Sequence, residues 1–272
     1  MPMAPPPVPG TAGSDLRIEG MSAGYGGAPV VRDLSLAVPN GALTAIVGPN
    51  GCGKSTVLKT MARVLTPAAG RVTLDGAAIH GLPTRAVAKR LALLPQGPVA
   101  PEGLSVRELV AQGRFPHQSL LRQWSRDDAR AVDAAMAAAD VADMADRPID
   151  ALSGGQRQRC WIAMVLAQET QVLLLDEPTT FLDLKVQVEL MTLLRRIAHD
   201  KGRTLVVVMH ELNVAAAFAD RLVMMRAGRI EVEGRVAEVF TEPMLHAVFD
   251  LDATVLTDPA SGRPVCVPRI AA

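Results

Sequence analysis

The chain has 272 residues, of which 49% are hydrophobic and 21% charged, with Lys+Arg 28 balancing Asp+Glu 28. That composition describes one large globular unit or two unequal lobes, and it excludes a disordered tail and a nucleic-acid binder working through bulk positive charge. Aromatics are 3% with a single tyrosine, so a groove of stacking rings for single-stranded nucleic acid is excluded too.

Residues 1–14 are rich in proline and predict a disordered leader rather than a secretory signal. From Leu16 to Gly76 the pattern is strand-rich: Leu34, Leu36 and Val38 alternate with small or polar neighbours, Pro39-Asn40-Gly41 reads as a hairpin turn into a strand over 42–47, and Asp75-Gly76 as a second. A helix after Gly48 carries Leu58, Met61, Ala62 and Leu65 at helical spacing and stops before Pro67. Between 97 and 160 helices dominate, as an inserted lobe. Ser105 with Glu108 is a capping box, and Ser125 opens a helix with Val132, Met136 and Ala139 on one face. The second half alternates: strand 171–175, helix 184–198 with Leu184, Val188, Met191 and Leu194 on one side, strand 204–209. Such alternation predicts a mostly parallel sheet covered by helices. Ala227-Gly228 marks a hairpin, and the tail is less regular. The scattered cysteines Cys52, Cys160 and Cys266 fit neither a zinc site nor a disulfide framework, and point to a reducing, cytosolic compartment. The apolar runs fall far short of the roughly 20 residues that span a bilayer, so work at a membrane requires another chain to hold this one there.

Four apolar strands end in polar groups: the loop from Gly48, Gln96, Asp176-Glu177 and His210. Ligands of open α/β sheets bind at such carboxyl ends, so one site receives all four. Gly48-Pro49-Asn50-Gly51-Cys52-Gly53-Lys54-Ser55 fits G-x-x-x-x-G-K-[ST] between a strand and a helix. Its backbone N–H groups suit phosphates, Lys54 the β/γ-phosphates and Ser55 Mg²⁺, with Thr56 adjoining. Asp176 is placed to hold Mg²⁺ and Glu177 to deprotonate an attacking water. The loop's dipoles and Lys54 favour a thiolate at Cys52. Leu152-Ser153-Gly154-Gly155-Gln156 is a capping box, yet paired glycines in a first turn cost helix stability and imply close approach to the backbone. That helix start is a second anion site, distinct from the one at Lys54.

Taken together, Gln96, 152–156, Asp176-Glu177, Leu182-Asp183 and His210 resemble in order and spacing the ATP-binding subunits of ABC transporters. The similarity runs from Leu16 to the C-terminus. It is nearest the ATPases of bacterial ferric-siderophore importers, through Gly113-Arg114-Phe115-Pro116-His117-Gln118, Ala163-Met164-Val165-Leu166-Ala167-Gln168 and Leu120-Leu121-Arg122-Gln123-Trp124. The resemblance implies a P-loop NTPase fold of the ABC ATPase type over 15–272: a mixed, mostly parallel sheet flanked by helices, an N-terminal antiparallel part and the helical lobe. It implies a homodimer that sandwiches two ATP molecules with Mg²⁺, each between one copy's phosphate loop and the other's Ser153, Gly154, Gly155 and Gln156. Further implied are a γ-phosphate contact by His210, a contact with Mg²⁺ or its water by Gln96, coupling across the dimer by Asp183, and Tyr25 against adenine. Plainer readings stand beside these: a loop amide for Gln96, a helix cap for Asp183, a strand-end histidine for His210, a ring covering the core edge for Tyr25. Two permeases and a secreted or periplasmic binding protein are implied as partners, at the cytoplasmic face of the inner membrane. Phe115, Pro116 and Trp124 read as an exposed apolar patch for a protein contact. Cobalamin, haem or another cargo, and less readily a soluble non-transport role, are the alternatives.

Overall fold

The structure, a computed structural model, describes residues 14–119 and 123–269. The expected leader up to Gly13, and Leu120 to Arg122 of the siderophore-like stretch, lie outside the described residues. Ser14, assigned to the leader from sequence, is buried.

β1 (Leu16–Ala23) and β2 (Val31–Val38) pair antiparallel, and Leu34, Leu36 and Val38 bury one face as the alternation requires. Pro39-Asn40-Gly41 does not close a hairpin. It hands the chain to a second sheet, where all five residues of β3 (Leu43–Val47) are buried, as a strand covered on both faces must be. α1 (Lys54–Met61) ends earlier than its apolar spacing suggests, because Arg63 turns left-handed at φ 63° and leaves Leu65 outside the helix. β4 (Ala69–Leu74) pairs with β1 on one side and, through the Asp75-Gly76 hairpin, with β5 (Ala77–Ala78) on the other. α2 (Thr84–Ala88) then leads into β6 (Leu91–Leu94).

Three helices follow: α3 (Val106–Gln112), α4 (Arg126–Ala138) and α5 (Gly154–Ala167), the last running beyond the boundary expected at 160. The expected capping box at Ser105 is formed, and the helix that Ser125 opens carries one as well, with Asp128. The stretches 113–118 and 163–168 meet here. A Cβ on Gly113 would lie 2.1 Å from the Met164 carbonyl oxygen, so only glycine lets α3 approach α5. Buried Arg114 donates to Asp128 Oδ1 at 2.9 Å, to the Ala167 carbonyl at 2.6 Å and to Glu169 Oε2 at 2.6 Å. His117 Nε2 lies 2.9 Å from the Gln168 carbonyl, and Gln168 Nε2 donates to the Leu91 carbonyl at 3.2 Å. The resemblance therefore rests partly on residues that clasp the helices to β6.

β7 (Val172–Asp176), α6 (Leu184–Lys201), β8 (Thr204–Val208), α7 (Leu212–Phe218), β9 (Arg221–Arg226) and β10 (Arg229–Arg235) complete the main sheet. Its order is β10-β9-β3-β8-β7-β6, with β10 antiparallel at one edge and the other five strands parallel. Met191 and Leu194 of α6 are buried, but Leu184 and Val188 are exposed, because the face of the first two turns that carries them is left uncovered by the described residues. The tail is more regular than expected: α8 (Val236–Val239), α9 (Glu242–Phe249), and the hairpin of β11 (Ala253–Thr257) with β12 (Pro264–Pro268). Val236, Val239, Leu245 and Val248 seat its helices on the main core.

Candidate active site

Because β3, β8, β7 and β6 are adjacent and parallel, the loops after them open on one edge of the sheet. In the loop after β3, a Cβ on Gly48 would stand 2.3 Å from the Met225 carbonyl oxygen, so the turn admits no side chain there. Gly53, at φ 104°, caps α1 in a left-handed conformation. The loop curls around its own lysine: Lys54 is buried, and Nζ donates to the carbonyls of Gly48 at 2.8 Å and Pro49 at 3.1 Å.

In the first turn of α1, Ser55 Oγ donates to Asp176 Oδ1 at 2.9 Å. Asp176 is only 2% exposed, and its Oδ2 is buried with no hydrogen-bond partner among the described residues. Burial pushes this carboxyl above the ordinary aspartate value and Glu177 adds to the rise, while the Ser55 hydrogen bond and Lys59 and Lys54 oppose it. A hydroxyl beside a carboxylate with one orphaned oxygen is a hard-oxygen donor set, and it fits Mg²⁺.

Glu177 follows in a left-handed conformation at φ 52°. Its Oε2 accepts from Gln96 Nε2 at 2.6 Å and from Thr180 Oγ1 at 3.2 Å, and its Oε1 pairs with His210 Nε2. Three strand ends thus meet on one carboxylate. Thr180 escaped the sequence reading; a hydroxyl residue in the turn after a carboxylate was the signal available. A cavity of about 430 Å³ opens over these groups, lined by Asn50, Gly51, Gly53, Lys54, Ser55, Thr56, Gln96, Glu177 and His210, with Tyr25 and Val30 at its side. Tyr25 is 62% exposed, and Lys59 Nζ lies 5.8 Å from its ring centroid.

Other expected site residues stand apart from this cavity. Ser153 caps α5, its Oγ accepting from the Gln156 N–H at 3.3 Å while the Ser153 N–H donates to Gln156 Oε1 at 3.1 Å. The close approach inferred from the glycines is met at Gly155 within the chain itself, since a Cβ there would lie 2.5 Å from Val186 Cγ1 on α6. Gly154 has no comparable crowding; its nearest neighbour would be Leu182 Cδ2 at 3.7 Å. Asp183 caps α6, Oδ1 accepting from the Val186 N–H at 3.0 Å. Beside it Phe181 is fully exposed. Cys52 corrects the expectation of a thiolate: it is buried in the loop, does not line the cavity, and burial pushes its thiol up more strongly than Lys54 and the backbone N–H groups pull it down. Of the residues expected in an exposed apolar patch, Phe115 and Trp124 are both more than half exposed and Pro116 is half-buried.

A family model described as ABC transporter matches residues 31–180. The iron(3+)-hydroxamate import ATP-binding protein of Bacillus subtilis is 49% identical over 93% of this chain and 94% of its own length. The ferric enterobactin transport ATP-binding protein of Escherichia coli is 46% identical over 93% of each chain. Among solved structures, a metal-chelate type ABC transporter in an inward-facing conformation superposes with a TM-score of 0.82 at 26% identity, covering 95% of this chain and 98% of that one. The family model spans the phosphate loop, the inserted helices and the acidic strand end alike, and the relatives extend the match to 93% of the chain: the chain belongs to the ABC transporter family and is one of its ATPases.

Proposed function

We infer that this chain hydrolyses ATP to power import of an iron chelate, a ferric siderophore, through partner permeases. One observation carries the hydrolytic part: the Glu177 carboxylate stands beside the Ser55–Asp176 pair at the cavity, drawn on by Gln96, Thr180 and His210. The triphosphate lies along 48–56, where Lys54 exchanges the Gly48 and Pro49 carbonyls for the β/γ-phosphates. Tyr25 stacks on adenine. Ser55, Asp176 and Gln96 would hold Mg²⁺, which when bound neutralises charge on the phosphate oxygens. Glu177 takes a proton from the water that attacks the γ-phosphorus, and His210 turns from Glu177 to the γ-phosphate.

The second anion site, Ser153, Gly154, Gly155 and Gln156 at the start of α5, serves the ATP of a second copy. Its separation from the cavity, and the absence of crowding at Gly154, support a contact supplied from outside the chain. Asp183 couples the two sites across this homodimer, in which the exposed Phe181, Leu184 and Val188 are covered. We take 15–272 as one ATPase unit, with the helices between β6 and β7 as its helical lobe. Among the described residues no helix is long and apolar enough to cross a membrane. Two transmembrane permease subunits hold the ATPase at the cytoplasmic face of the bacterial inner membrane, meeting the Phe115–Trp124 patch, and a secreted or periplasmic binding protein delivers the cargo. The cargo follows from the relatives, whose names specify ferric hydroxamate and ferric enterobactin transport.

Glu177→Gln tests the hydrolytic assignment. The variant should bind MgATP, lose turnover, and elute with MgATP at about twice the monomer mass. Near wild-type turnover would remove Glu177 from the role of base.

A further inference from the structure

Of the three side-chain donors on Glu177 among the described residues, two arrive from distant strand ends, Gln96 after β6 and His210 after β8. The third belongs to the glutamate's own turn. Thr180 donates its backbone N–H to the Glu177 carbonyl at 3.4 Å and its Oγ1 to Glu177 Oε2 at 3.2 Å. We propose that Thr180 is the positioning residue of the general base: its hydroxyl keeps Oε2 of Glu177 in place through the cycle, so that Oε1 faces the attacking water. The inference rests on the reading of Glu177 as the base and goes beyond it.

Three features argue for the role. Glu177 leaves β7 in a left-handed conformation that non-glycine residues seldom adopt, so its side chain starts from backbone that the surroundings must hold. Consecutive threonines then divide the work. Thr179, 1% exposed, turns away and donates to Glu211 Oε2 at 3.4 Å, which ties this turn to the loop carrying His210, whereas Thr180 turns back onto the base. Lastly, the donors are unevenly spread, with Gln96 and Thr180 on Oε2 and His210 on Oε1.

Once Gln96 and His210 move onto the bound nucleotide, Thr180 is the donor that travels with Glu177. A carboxylate offers about four lone-pair positions, so a hydroxyl on Oε2 takes nothing from the proton-accepting capacity of Oε1. The water oxygen bonds to the γ-phosphorus, its proton passes to Oε1, and the bond from that phosphorus to the ADP oxygen breaks. Without the brace the carboxylate samples other rotamers, and small displacements of a reacting group are costly in rate.

Steady-state ATP hydrolysis by the purified full-length chain tests this. Thr180→Val removes the hydroxyl and keeps the shape, Thr180→Ala removes it without adding a methyl, and Thr180→Ser retains it. Losing a hydrogen bond to a charged group should lower kcat by about tenfold in Val and Ala, with KM for ATP changed less than about twofold and with Ser returning to within about threefold of wild type. Wild-type kcat in both Val and Ala, a Ser variant as impaired as Val, or a KM rising in step with the loss of kcat would each overturn the proposal. If Thr180→Val does not fold, Ala against Ser makes the same comparison. Glu177→Gln assayed alongside separates two failures: wild-type turnover there removes the base itself, whereas an inactive Glu177→Gln beside fully active Thr180→Val removes only the brace.

Discussion

Asp176→Asn should make the nucleotide-free protein more stable while abolishing its response to Mg²⁺. The buried carboxylate satisfies one oxygen with Ser55 and leaves Oδ2 without a partner. An unsatisfied buried polar group costs about 1–3 kcal/mol, and more when charged. Asparagine keeps an acceptor for Ser55 and sheds the charge, though its amide N–H groups inherit the orphaned position, so the net gain is about 1–2 kcal/mol. At about 2–4 °C per kcal/mol for a chain near this size, Tm should rise by about 2–8 °C at neutral pH. The gain depends on pH in a defined sense. Burial raises the carboxyl's folded value above its unfolded one, so the native state binds the extra proton and stability falls as pH rises through that window. Below the window both states are protonated, and the wild type should converge on the variant. Scanning calorimetry of both proteins across this range, with and without MgATP, reads all three effects. MgATP at 100 times its Kd should add about 2.7 kcal/mol to the wild type, and the Mg²⁺-dependent share of that gain should vanish in the variant. A variant less stable than wild type at neutral pH, or one with the full Mg²⁺-dependent gain, would refute the reasoning.

Gly113→Ala drives a Cβ into the Met164 carbonyl and should lower Tm by about 3–8 °C, whereas Gly81→Ala, with nothing within 4 Å, should leave it within about 2 °C; equal melting of the two would show that the α3–α5 approach is not tight. Cys52 and Cys160 are both buried with raised thiols, the latter pushed up to about 11, so brief maleimide treatment read by mass spectrometry should leave both largely unmodified; rapid labelling at Cys52 would restore the thiolate expectation. Ser153→Arg should leave ATP binding to each monomer intact and stop hydrolysis, and a normal rate would reduce Ser153 to a helix cap.

The residues most legible in the sequence are those whose role is local. Ser105 and Ser153 announce their helices because a capping box is completed within four residues, Ser125 marks its helix start as an N-cap, and the loop from Gly48 needs only a strand before it and a helix after it. Adjacency of the four strand ends followed from alternation, since parallel strands place their carboxyl ends together. Contacts between distant segments were not legible. The glycine pair at 154–155 looked like one feature, yet Gly155 answers to Val186 of α6 and Gly154 to nothing comparably close. Apolar spacing predicted burial for Leu184 and Val188, because periodicity marks a face without saying which chain covers it. Pro39-Asn40-Gly41 carries the composition of a hairpin and makes a passage between sheets, a difference set by the pairing partners of β3. Cys52 shows a contest of magnitudes: dipoles and Lys54 were visible in sequence, while the burial that outweighs them was not.

The central claim, that ATP hydrolysis at Glu177 powers entry of an iron chelate, is tested most directly in proteoliposomes containing this chain, its two permeases and the binding protein. The account predicts MgATP-dependent uptake of a radiolabelled ferric siderophore with wild-type chain, and none with Glu177→Gln. Uptake of cobalamin or haem with no response to any ferric chelate, or ferric-chelate uptake undiminished by Glu177→Gln, would contradict it.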